Sequence, residues 1–185
     1  MTVFKEKSLD DQTLFQKLFK RLPKDNAIKE LNNLLAQNED RINSIPKESV
    51  QAIGDKYKVN FKKSSKNKLL EMYEKYLNYC LEDRKLDKLK INTLYHLKNI
   101  LFLDDHDTQD LIKLRTHDLF NKEVKKTFDS GQMDESKWDY LEKLKTDILI
   151  SKEESIDIYR TNAMNIINNF IIQCFVMGDL NVVTF

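Results

Sequence analysis

The sequence predicts an all-α protein, a multi-helix bundle of about seven to eight helices that contains two tandem helical repeats. Three observations carry this. Apolar residues recur at helical spacing through most of the chain. Glycine and proline are scarce, three and two among 185 residues, which disfavours a turn-rich β fold. And a shift of 47 residues lays one stretch of the chain onto another without gaps.

Taken in order, Leu14, Leu18 and Leu22, with Phe15 and Phe19 beside them, mark a first helix near residues 8–21, which Pro23 ends. Ala27, Ile28, Leu31, Leu34 and Leu35 mark a second at 25–37, with Asp25 or Asn26 as its N-cap. After a polar loop, Pro46 stands in the first turn of a short third helix, 46–54, which Gly54 and Asp55 close. Ser64 or Ser65 caps a helix at 65–82 whose stripe runs Leu69, Met72, Tyr73, Tyr76, Leu77 and Cys80. Helices at 88–101, 105–128, 134–148 and 152–177 complete the series. The basic run Lys62, Lys63, Lys66 and Lys68 reads as a solvated helix start, because no aromatics interleave it beyond Phe61.

The 47-residue shift pairs Asp87 with Asp134, Lys90 with Lys137, Leu94 with Leu141, and Leu97-Lys98 with Leu144-Lys145. Apolar character agrees more widely: Leu86 with Met133, Ile91 with Trp138, Leu101 with Ile148, Leu103 with Ile150. The unit reads as acidic turn, short helix, apolar tripeptide, capped start and long helix. A lone helix pair cannot bury its stripe, so copies stack. Residues 30–80 have room for a degenerate earlier copy, but its register cannot be fixed from the sequence. The chain is expected to form one domain, 1–185, with N-terminal helices over 1–64, a repeat region over 65–177 and an apolar tail over 178–185.

The run Phe128-Asp129-Ser130-Gly131-Gln132-Met133-Asp134-Glu135, followed by Leu141, Leu144 and Ile148-Leu149-Ile150-Ser151-Lys152-Glu153-Glu154, resembles the helical repeats of TerB-like (tellurite-resistance) proteins. It is similar too to repeats in the large inner-envelope component of the chloroplast protein-import translocon. Those repeats carry alanine, aspartate, glycine, any residue and leucine before an acidic helix start. This chain departs from them: Ser130 separates Asp129 from Gly131, and the first copy, Glu82-Asp83-Arg84-Lys85-Leu86, has no glycine. The resemblance covers roughly residues 68–172 and implies an all-helical domain used for binding rather than catalysis.

Positive and negative charges nearly cancel, leaving +1, so no global field draws the chain to nucleic acid. Cys80 and Cys174 lie far apart among apolar residues and read as buried free thiols. No apolar leader follows Met1, and the longest apolar run, Ile166–Met177, is too short to span a bilayer. The expectation is a cytoplasmic protein without a membrane span.

Few residues offer chemistry. Asp104, Asp105 and Asp107 could together hold a divalent metal, and the TerB-like resemblance implies acidic metal-binding surfaces; the competing reading has them facing the positive end of a helix dipole. Asp129–Asp134 fits half an EF-hand poorly, since Met133 and Asp134 fall where a ligand and a glycine belong. The pairs His106-Asp107 and His117-Asp118 suit a metal phosphohydrolase, but only His96 remains to complete a site. No phosphate loop, nucleophile–base spacing or CxxC occurs, so no cofactor is expected.

The functional reading is therefore a non-catalytic helical protein-interaction module with a protein partner. One alternative is a metal-binding stress-response protein or metal-dependent enzyme using the Asp104–Asp107 cluster. Another is a helical immunity or antagonist protein that blocks its partner. The interaction residues are Phe170, Phe175, Met177, Val182 and Phe185, whose apolar surface exceeds what one helix face can bury and suggests a homodimer. The competing reading makes this stretch the central core helix.

Overall fold

The computed structural model describes residues 2–131 and 133–177. Every regular element among them is helical: α1 (Leu14–Leu18), α2 (Asn26–Gln37), a 3-10 segment (Glu39–Ser44), α3 (Lys47–Tyr57), α4 (Phe61–Ser64), α5 (Lys66–Leu81), α6 (Lys88–Ile100), α7 (Asp105–Asp129), α8 (Glu135–Asp147) and α9 (Lys152–Met177). The all-α expectation holds. The 3-10 segment and α4 are additional to the helices read from periodicity, being too short to show any. The chain divides into two compact units, Met1–Lys113 and Leu114–Phe185.

In the first unit α1 is much shorter than expected. Thr13 caps it through a reciprocal box with Gln16, but the residues before it are drawn away by asparagine amides of α2. The Asp10 N–H donates to Asn26 Oδ1 at 2.7 Å, Asn26 Nδ2 donates back to the Asp10 carbonyl at 2.9 Å, and Asn32 Nδ2 reaches the Lys5 carbonyl at 2.7 Å. A segment whose polar backbone is satisfied this way has no need of helix. Phe4 is buried and stacks on Tyr76 at 6.4 Å. The core collects Leu31, Leu35, Val50, Leu69, Tyr73, Leu77, Leu97 and Ile100.

Gly54 does not close α3, as the sequence suggested; the helix runs through it to Tyr57. Its role is close approach, since a Cβ there would stand 2.8 Å from the Val59 carbonyl oxygen. What ends α3 is Lys58, in the left-handed region at φ 55°. The Val59 N–H bonds the Gly54 carbonyl at 2.8 Å and the Lys58 N–H the Asp55 carbonyl at 3.1 Å. This is a Schellman closure, made here without glycine.

The same closure ends α1, α6 and α8. At α6 the left-handed residue is Phe102 (φ 55°), with Leu103 N–H on Lys98 at 3.1 Å; at α8 it is Leu149 (φ 64°), with Ile150 N–H on Lys145 at 2.9 Å. At α1 it is Lys20 (φ 51°), with Arg21 N–H on Gln16 at 2.8 Å. The starts agree as well. Asp87 accepts from Lys90 N–H at 2.9 Å to cap α6, and Asp134 accepts from Lys137 N–H at 3.0 Å to cap α8. A hydroxyl bonds back to its own first turn in α7 (Thr108 to Asp105 carbonyl, 3.1 Å) and in α9 (Ser155 to Lys152 carbonyl, 2.8 Å). Leu94 and Leu141 are both buried, as are Leu97 and Leu144, and Leu101 and Ile148. Leu86 and Met133 differ, the first buried and the second exposed.

In each unit a helix packs against the helix that follows it. Lys56 and Tyr57 of α3 both reach Glu30 of α2 at 2.6 Å. Lys90 of α6 donates to the Cys80 carbonyl of α5 at 2.9 Å. In the second unit Tyr140 of α8 donates to Glu123 of α7 at 2.9 Å. Phe120, Phe128, Trp138 and Tyr159 form an aromatic cluster there, with centroids 5.3 to 6.3 Å from Tyr159.

Candidate interaction surface

From Thr161 to Met177 no residue of α9 is charged, in a chain of which a third is charged. The first half of this helix is packed: Ser155 and Asn162 are buried, and Asn162 Nδ2 donates to Asn121 Oδ1 of α7 at 2.7 Å. Beyond Ala163 the packing stops. Ile167 is 50% exposed, Phe170 66%, Phe175 61% and Val176 80%. The expectation of a central core helix is thus corrected: the all-round apolar character of this stretch is present, but no described element covers it. Cys174, expected to be buried, is partly exposed, whereas Cys80 is buried and its thiol is pushed up to about 12 by desolvation. Of the interaction residues read from sequence, Phe170 and Phe175 lie on this surface. The side chain of Met177, and Val182 and Phe185, lie outside the described residues.

A second uncovered ridge lies on α1. Leu14, Phe15, Leu18 and Phe19 are all at least half exposed, and the two phenylalanine rings pack on each other at 4.5 Å. Periodicity found these residues but could not show that they stay uncovered.

The acidic cluster does not converge. Lys98 pairs with Asp105, and Lys66 pairs with Asp107 at 2.6 Å. The Asp107 carboxylate and, further off, Asp104 hold the Lys66 ammonium above its ordinary range. No group of three metal-ligating side chains gathers among the described residues. The histidines go separate ways. His106 faces Asp110 at 3.1 Å on the open surface, His117 faces Glu154 of α9 at 3.1 Å, and His96 contacts the Ile45 carbonyl at 3.0 Å. The turn Asp129–Asp134 is held by its own caps, Lys137 Nζ donating to Ser130 Oγ at 2.9 Å. The Ser136 hydroxyl, then the Lys137 N–H, hold the Asp134 carboxyl below its ordinary range. A shallow cleft of about 260 Å³ between Gln51, Gly54, Phe61 and Phe102 carries no catalytic grouping. No described helix is long and apolar enough to cross a membrane.

The family model of Tic110, described as a chloroplast envelope transporter, matches residues 20–114, just over half of the chain. No curated protein and no solved structure matches it. The matched span runs from α2 to the first turns of α7 and bears out the likeness to the translocon component; the resemblance read from sequence, over roughly 68–172, overlaps it only in part, and its motif at Phe128–Glu154 lies beyond it. The match also overturns the cytoplasmic expectation: an envelope family points to the chloroplast. That expectation rested on missing apolar segments, and an organelle address needs no apolar segment. By its family match this chain belongs to the Tic110 family of chloroplast envelope transporters.

Proposed function

We propose that the chain is a non-catalytic protein-interaction module of stacked helix pairs, working at the chloroplast envelope by holding a protein partner on the uncovered face of α9. The observation that carries this reading is the charge-free apolar stretch Thr161–Met177, with Phe170 and Phe175 about two-thirds and three-fifths in water. Apolar patches of this kind, where monomers ordinarily place charge, mark interfaces. The near-neutral net charge supports a protein partner rather than nucleic acid. The Asp134 cap, the Ser151–Glu154 capping box and the parallel burial of Leu94 and Leu141 support TerB-like repeats across residues 65–177.

Immobilised chain and a Phe170→Asp, Phe175→Asp variant, exposed to chloroplast-envelope extract, test the proposal. Both positions are exposed, so the fold survives and far-ultraviolet circular dichroism should not change. A protein retained by the native chain and lost with the variant is the expected result. Equal retention by both would remove α9 from the binding surface.

A further inference from the structure

The left-handed residue that closes α1, α3, α6 and α8 gives a common register. Counting from Lys58, Phe102 and Leu149, the positions five and one before are Ile53 and Tyr57, Leu97 and Leu101, Leu144 and Ile148, and all six are buried. The same positions counted from Lys20 are Phe15 and Phe19, exposed 67% and 52%. On the long helices the positions eighteen and twenty-two after are Tyr76 and Cys80 in α5 and Phe120 and Val124 in α7, all buried. Their counterparts in α9 are Ile167 and Ile171, exposed 50% and 41%. The junctions α5–α6 and α7–α8 each join a long helix to the shorter helix that follows. Among the described residues no long helix precedes α1 and no short helix follows α9.

Resting on the reading of α9 as a docking face, we infer that the occupant of this face is α1 of a second copy of the chain, seated head to tail. Three features favour it. The exposed positions of α1 match positions that are buried in α3, α6 and α8, and at α3 one of them, Tyr57, reaches Glu30 of the helix before it. The exposed positions of α9 match positions that are buried in α5 and α7. Neither face opposes like charges: α9 has none from Thr161 onward, and α1 carries only Lys17 between Thr13 and Phe19. At roughly 200 Å² for a large apolar side chain weighted by its exposure, each ridge offers on the order of 400–600 Å², the low end of one side of a specific interface. A symmetric α9–α9 pair, the arrangement suggested by the patch alone, would leave the α1 ridge in water. A heterologous contact satisfies both ends.

The test uses the full chain and two variants, Phe15→Asp with Phe19→Asp, and Ile167→Asp with Ile171→Asp. All four side chains are exposed, and helicity by circular dichroism confirms folding. Sedimentation at about 50 µM should show the native chain associating. Each variant alone should be monomeric, with affinity reduced at least about 100-fold. An equimolar mixture should restore a one-to-one complex, because one variant keeps α9 and the other keeps α1. If the α1 variant associates by itself, the contact is symmetric through α9 and the head-to-tail arrangement is wrong, while the interaction reading of α9 stands. A monomeric native chain, or a mixture that stays monomeric, also overturns the inference; extract retention then decides the interaction reading separately.

Discussion

Phe120 and Ile167 occupy the same register position in α7 and α9, and truncating each to alanine should give very different results. Phe120 is fully buried, with the Tyr159 ring edge-on at 5.6 Å. Removing a buried phenyl ring costs about 3–5 kcal/mol through lost transfer energy and the cavity left behind. The aromatic contact contributes about 0.5–1.5 kcal/mol beyond area. Ile167 is half in water already and has few neighbours to leave a cavity among. Its truncation removes about three carbons' worth of burial at half weight, about 1 kcal/mol. The better helix propensity of alanine offsets about 0.4 kcal/mol of that. For a chain of this size each kcal/mol moves the midpoint by about 2–4 °C, so Phe120→Ala should lose about 6–20 °C and Ile167→Ala no more than about 3 °C. Thermal unfolding followed by circular dichroism at about 1 µM keeps self-association out of the comparison. Midpoints falling by similar amounts would mean that α9 is packed as α7 is, and the docking face would not exist.

Gly54→Ala should destabilise by about 1–3 kcal/mol in urea titration, because the new Cβ meets a backbone carbonyl that cannot swing away. The left-handed closures separate two cases. Leu149→Gly should stabilise by up to about 1 kcal/mol, since its side chain is 58% exposed and the left-handed strain is relieved. Phe102→Gly should destabilise, because Lys47 Nζ sits 4.9 Å over that ring. With an aromatic disulfide reagent at pH 8, the native chain should react at one thiol, Cys174, and at two only after denaturation, because burial keeps Cys80 protonated and covered. Two fast thiols in the native state would contradict the packing of α5 against α6.

The helical class and the five helices from α5 to α9 were legible along the chain, because amphipathic spacing over a dozen residues or more has few other solutions. The 47-residue shift aligned α6 with α8 and the starts of α7 and α9, since caps such as Asp87 and Asp134 act within one turn of their own helix. Short-range signals misled where distant groups compete for the backbone. Asn26 and Asn32 draw the residues before α1 out of helix, and Asp25 gives α2 no side-chain cap. What α3 shares with α6 and α8 is a backbone closure, not a residue type, and so does not show along the chain: lysine, phenylalanine and leucine all stand in the left-handed position. Only the tertiary structure decided that Phe120 is covered and Ile167 is not. Both read alike along the chain, and burial belongs to the neighbour that a side chain finds rather than to the side chain itself.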